Sequence, residues 1–122
     1  MFRIEIIPYT LRFKQPAGTS RGVYHEHRIW YVLLRDVEDP SHVGIGECAP
    51  LPDLSCDYSD RYAETLSDYC RLTEQEQQIN TELLREHSSI LFGLETAMLH
   101  YRQRSWQLWD TPFSRGETGI TI

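Results

Sequence analysis

A chain of 122 residues with 40% hydrophobic and 25% charged residues has the make-up of one globular domain, which excludes a fibrous repeat, a disordered tail and a pair of ordinary domains. Its net charge of −6, without any basic run, argues against nucleic acid as a partner, because affinity there rests on neutralising phosphates with Lys and Arg. No apolar run approaches the roughly 18 residues a membrane span needs, and no basic-then-apolar leader follows Met1, so a cytoplasmic protein without a membrane partner is expected.

Phe2, Ile4 and Ile6 alternate with polar residues, and then the parity flips so that Ile7, Tyr9, Leu11 and Phe13 carry the apolar side. The flip sits at Pro8, which predicts a long first strand that is bulged there or lies at a sheet edge, since proline has no N–H for a ladder. Val23 to Val37 forms a second strand whose "IWYVLL" is apolar on both parities, the pattern of a strand covered on both faces. "EDPSH" reads as a turn and "VGIGEC" as a short third strand whose glycines allow a close backbone approach. Together these make an antiparallel three-stranded meander.

The period then becomes helical. Tyr58, Tyr62, Leu66, Tyr69 and Cys70 form a stripe, with Asp57 or Ser59 as N-cap. A weaker amphipathic stretch follows, in which Thr73 and Glu76 fit a capping box and Ile79, Leu83 and Leu84 the apolar side. Ser88 or Ser89 caps a third helix in which Ile90, Leu91, Leu94, Ala97, Met98 and Tyr101 share a face that Phe92 and Leu99 widen. The chain closes on "PFSRGETGITI", where Ile120 and Ile122 alternate as in a strand. Strands first and about three helices afterwards is an α+β arrangement.

Several residues invite a chemical reading. His25 and His27 would share one face of a strand, but a third metal ligand is missing, so exposed strand histidines are expected. Cys48, Cys56 and Cys70 are odd in number and lack paired spacing, which predicts reduced structural thiols rather than disulfides, a zinc site or a nucleophile. "GIGE" lacks the last glycine and the helix of a dinucleotide site, so Glu47 is expected to end a strand, bonded to a neighbouring loop. Glu95, on an apolar helix, is expected in an ion pair.

Two loops remain, "PAGTSRG" between the first two strands and "CAPLPDLSCD" after the third. In an antiparallel meander both project from one end of the sheet. The first offers the Thr19 and Ser20 hydroxyls, the Arg21 guanidinium and backbone amides beside Gly22, a set suited to an anion. The second offers an apolar wall of Leu51, Pro52 and Leu54, with Ser55. Together they resemble half of a binding site for an anionic, partly apolar ligand.

The stretches "FKQPAGTSRGVYHEHRIWYVLL", "GIGECAPLPDLSCD", "SSILFGLETAML" and "PFSRGETGITI", in this order and spacing, resemble the N-terminal capping domain of the enolase superfamily in its muconate-lactonizing subgroup. The resemblance implies a meander and helical bundle over residues 1–118, with 119–122 opening the connection to a separate (β/α)-barrel domain. That barrel would hold Mg²⁺ and the acid/base lysines, whereas this chain has one lysine, Lys14, and is expected to bind no metal and to be inactive alone. It further implies that Thr19 to Gly22 and Leu51 to Ser55 close over the substrate. The substrate implied is a cyclohexadiene dicarboxylate with a succinyl chain, which loses water. N-acylamino-acid racemases, dipeptide epimerases and muconate cycloisomerase-like lactonizing enzymes share such caps, and a non-catalytic small-ligand binding module is the rival from another class. Association of copies through apolar cap surface left bare is expected as well.

Overall fold

The structure, a computed structural model, describes residues 1–122. Three antiparallel strands, β1 (Phe2–Thr19), β2 (Gly22–Asp36) and β3 (Val43–Cys48), form one sheet in the order β1-β2-β3. Two helices follow, α1 (Tyr62–Glu76) and α2 (Ser88–Gln103), so the α+β class holds with two helices where about three were expected. No helix is long and apolar enough to cross a membrane.

The register sets which side chains meet the helices. Ile4 pairs with Leu34, Ile6 with Val32, and Trp30 with Cys48, so these residues share one face. That face, with Phe2, packs on Tyr62, Leu66 and Cys70 of α1 and on Ile90, Leu94, Ala97 and Met98 of α2 in one core cluster. Burial of such side chains, about 1.5–3 kcal/mol each, is the main force holding the layers together. In α1 the buried positions Tyr62, Leu66, Cys70 and Thr73 keep the helical stripe read from the sequence.

Glycine fixes how closely α2 approaches the sheet. A Cβ added to Gly46 would collide with the Gly93 carbonyl, and one added to Gly44 would collide with the Ala97 carbonyl and sit 2.6 Å from the Tyr101 nitrogen. Helix backbone therefore lies directly on strand backbone, as the glycines of "VGIGEC" predicted.

Three local expectations are settled, the second and third as corrections: of the two readings at Pro8, a bulge or a sheet edge, the edge holds. Pairing runs unbroken through Pro8↔Trp30, and the register shift falls between Arg12 and Ala17 instead. Pro8 is accommodated because β1 is an edge strand, where a missing N–H costs no ladder bond. The same edge is sealed further along by α1: the Phe2 and Ile4 amides donate to Gln77 Oε1 (2.8 Å) and Glu74 Oε2 (2.7 Å). Second, α1 runs through Thr73 to a left-handed cap at Gln77, and 78–87 form turns rather than a helix. Leu84 is still buried there, held by one turn in which Asn80 accepts from the Leu83 and Leu84 amides. Third, residues 104–122 hold only turns and irregular chain, so Ile120 and Ile122 are not in a strand.

The helices cover one face of the sheet only. On the other, Ile29 is fully buried, yet Ile7, Tyr9, Leu11 and Phe13 stay 36–53% exposed, so the expectation of cover on both faces is met for β2 only in part. At the far end from the hairpin, Asp36 Oδ2 accepts from the Tyr101 hydroxyl at 2.6 Å and Oδ1 from the Glu38 and Asp39 amides. The Tyr101 bond, followed by these two amides, holds the Asp36 carboxyl far below the usual range. Burial, then Asp36 itself, pushes the Tyr101 phenol up to about 12.

Candidate functional site

The loop expected between the first two strands is mostly strand. Pairing resumes beyond the register shift as Ala17↔Tyr24, Gly18↔Val23 and Thr19↔Gly22, leaving Ser20 and Arg21 as a two-residue turn. Gly22 takes φ 142°, a conformation that side-chain-bearing residues rarely adopt. Thr19 Oγ1 closes the turn, accepting from the Arg21 amide at 3.2 Å and donating to the Gly22 carbonyl at 3.0 Å. Thr19, Ser20, Arg21 and Gly22 are all exposed.

The segment after β3 is compact for a different reason. The Leu54 and Ser55 amides donate to the Leu51 carbonyl at 3.1 and 2.9 Å, and the Leu51 amide donates to Ser55 Oγ at 2.9 Å. Ser55 is therefore occupied in closing this turn. Pro50 is buried beneath it, while Pro52 and Leu54 are exposed and Leu51 half-buried. Asp57 anchors the far side: its Oδ2 accepts from the Ser89 amide (2.9 Å) and hydroxyl (2.5 Å), satisfying the start of α2. The expected caps were Asp57 or Ser59 for the first helix and Ser88 or Ser89 for the third. Ser59 Oγ accepts from the Arg61 amide just ahead of α1, whose own cap position carries no side-chain bond, and Asp57 serves α2 instead, from 32 residues away.

The two segments meet, as the meander required. Arg21 Nη1 donates to the Asp53 carbonyl at 3.1 Å, and the Tyr24 hydroxyl donates to Asp53 Oδ2 at 3.1 Å. His27 Nε2 donates to the Pro50 carbonyl at 3.2 Å. Behind this seam lies a cavity of about 350 Å³ between the ribbon and the start of α1, lined among others by Tyr24, Arg28, Trp30, Leu51 and Tyr58. The Arg28 guanidinium sits 5.3 Å from the Trp30 ring centroid there. A second hollow of about 670 Å³ lies between Leu54, Asp57, Ser89 and Phe92. The loop after β3 thus borders both.

Asp53 and Tyr24 were missed as site residues. The signal was faint: Asp53 stands in "PLPDLS" beside two prolines that force a turn, and Tyr24 follows the turn glycine by two positions, but only tertiary contact joins them. His25 is exposed opposite the register break and His27 is taken up by Pro50, and no three His, Cys, Asp or Glu gather as a metal site. His42 belongs to the other end of the meander, stacked on Tyr101 at 4.3 Å. Glu47 pairs with Tyr31 inside β3, with no hydrogen bond from its carboxylate. Glu95 is exposed and makes none of the ion pairs seen, because its helical position turns to the rim rather than the core. Cys48 and Cys70 are buried and their thiols are pushed up to about 12, chiefly by desolvation, while Cys56 is exposed.

The seam supplies donors and apolar cover: four N–H groups of Arg21 beyond the one given to Asp53, the Ser20 hydroxyl, and the Leu51, Pro52 and Leu54 side chains, while the Thr19 hydroxyl proton is spent on the Gly22 carbonyl. It can bind, orient and exclude water.

No family model matches the sequence. The chain is 39% identical over 144 aligned residues to an o-succinylbenzoate synthase of Desulfotalea psychrophila, an alignment taking in 92% of this chain and 38% of that protein. It therefore spans about two-fifths of that curated relative. A mandelate racemase/muconate lactonizing protein from Herpetosiphon aurantiacus shares the fold with a TM-score of 0.65, at 19% identity, over 84% of this chain and 31% of that one. A dipeptide epimerase from Enterococcus faecalis, solved with Mg and the dipeptide L-Leu-L-Tyr, gives a TM-score of 0.50 at 15% identity over 73% of this chain and 24% of its own. Sequence and fold together identify the chain as an N-terminal capping domain of the enolase-superfamily type.

Proposed function

We propose that this chain is the substrate-capping, specificity-determining domain of an o-succinylbenzoate synthase, a lyase that removes water from a cyclohexadiene dicarboxylate. The observation that carries this reading is the seam at Asp53. It sets the exposed Arg21 guanidinium and the Ser20 hydroxyl, on a turn closed by Thr19, beside the apolar Leu51, Pro52 and Leu54, a combination suited to a succinyl chain with its carboxylate. The 39% identity to a synthase of that name supports it.

The chemistry belongs to a barrel domain joined after residues 119–122. Mg²⁺ in such a barrel supplies positive charge to the substrate carboxylate. The residues of this chain do not fit the cation, since no carboxylates gather to hold one, and no chemical step is assigned to them. Their part is to hold the end of the substrate remote from the reacting carbon and to keep water out.

Arg21→Ala in the barrel-joined protein tests the reading. Loss of a charged hydrogen bond to substrate lowers kcat/KM by roughly ten- to a hundredfold with the melting temperature unchanged. A variant that unfolds readily, with normal kinetics in the folded fraction, would make Arg21 structural and remove the substrate role. The fold likeness to a dipeptide epimerase supports a second reading, epimerisation of an amino-acid derivative, and parallel assays with a dipeptide separate the two.

A further inference from the structure

The hairpin outruns the rest of the sheet. Pairing of β3 ends at Trp30↔Cys48, whereas β1 and β2 continue as two strands alone as far as Thr19↔Gly22. A two-stranded ribbon is marginal in water, and this one is interrupted by the register shift between Arg12 and Ala17, a feature that lets a ribbon bend. The sheet alone therefore does not set where the tip lies.

Hydrogen bonds from outside the ribbon do. Beyond Arg28 they are those of Arg21, Tyr24 and His27, and all of them end on the segment Pro50–Asp53. Asp53 takes two, one through its backbone carbonyl and one through its carboxylate, so a single residue receives both the turn and the strand that follows it. The segment it belongs to is rigid in its own right, closed by Ser55 on Leu51 and tied to α2 through Asp57.

We infer that Asp53 and Tyr24 are positioning residues that lock the hairpin tip to the loop after β3, so that the two halves of the candidate site hold and release together. The lock is a property of this chain. Its use, presenting Thr19, Ser20 and Arg21 together with Leu51 and Leu54 to one ligand, rests on the capping function proposed above. Because Arg21 gives one N–H to Asp53, the lock also limits the orientations in which its guanidinium meets an anion. The Tyr24 phenol is raised above 10 by desolvation and then by the Asp53 bond and charge, which provides an independent readout of the contact.

The test is amide hydrogen exchange on the protein as it stands, comparing the parent with Tyr24→Phe and Asp53→Ala. Each variant should speed exchange by roughly three- to tenfold, the factor one lost hydrogen bond supplies, and should do so on both sides of the seam, at Arg21 and at Leu54 and Ser55. Tyr24→Phe is the sharper variant because it alters only the hairpin and leaves every bond inside the loop in place. Asp53→Asn, which keeps an acceptor, should restore most of the protection that Asp53→Ala loses, while the Tyr24 titration moves down. Exchange that quickens in the hairpin alone, or in neither segment, overturns the lock. Quickening that spreads to α2 amides overturns it too, since the contact would then serve global stability. None of these outcomes depends on catalysis, so the lock can fail while the capping function stands, and the reverse.

Discussion

Gly46→Ala is the substitution whose cost the structure fixes most firmly. A Cβ at this position would overlap the Gly93 carbonyl oxygen and lie 2.9 Å from both the Gly93 carbonyl carbon and Thr96 Oγ1. Two of those atoms are helix backbone, so relief requires α2 to move off β3 as a body. That movement would loosen Ile90, Leu94 and Ala97, all fully buried against the sheet. Overpacking of a core costs about 1–3 kcal/mol, and an immovable obstacle puts this site at the upper end. At roughly 3–5 °C per kcal/mol for a domain of this size, the midpoint of thermal unfolding falls by about 10 °C. Gly18→Ala is the matched control, because an added Cβ there meets nothing within 4 Å. Circular dichroism melts of the three proteins decide the matter. A Gly46→Ala variant that melts with the parent, or a Gly18→Ala variant that falls as far, would refute the backbone-on-backbone packing of α2 and β3.

Asp57→Ala should cost about 1–2 kcal/mol, the worth of a helix cap, with exchange at the Ser89 amide quickened first; an unchanged melt would remove Asp57 as the cap of α2. His100 Nδ1 accepts from the Ile45 amide at 3.1 Å, so the fold holds this ring neutral, and desolvation followed by His42 lowers its pKa below 6.5. Its contribution is fully present above the unfolded value and is lost as pH falls from there through the lower folded value. Chemical denaturation should therefore show stability declining below about pH 6.5, with a shallower decline in His100→Asn, whose side-chain oxygen accepts without titrating; equal slopes would contradict the assignment. With Cys48 and Cys70 buried, a thiol reagent at neutral pH should label the native protein once, at Cys56, and fast double or triple labelling would show that the core is open.

What the sequence disclosed follows from where its constraints are local. Period-two and period-3.6 patterns located all three strands and both helices, and the small residues of "VGIGEC" announced the close approach of α2. The second expected helix failed because Ile79, Leu83 and Leu84 satisfy a stripe only on paper: Gln77 ends α1 in a left-handed conformation, and one turn suffices to bury Leu84. At Pro8 parity and proline coincide, a pattern that a bulge and an edge strand share; the edge is what the fold uses, and the slip falls in the more irregular run before Ala17. The site divided in the same way. Chain topology brought the hairpin tip and the loop after β3 to one end, but Asp53, Tyr24 and the reach of Asp57 to α2 are contacts across 29 or more residues that no spacing encodes.

Under the proposed capping function, this domain completes a site whose reacting groups lie elsewhere. The direct measurement is turnover of the cyclohexadiene dicarboxylate by this chain, by a separately expressed barrel domain, and by the two mixed with Mg²⁺. The capping function predicts turnover in the mixture well above the sum of the parts, reduced when the chain carries Arg21→Ala. Turnover by this chain alone, or a mixture in which the two bind without any gain, would contradict it.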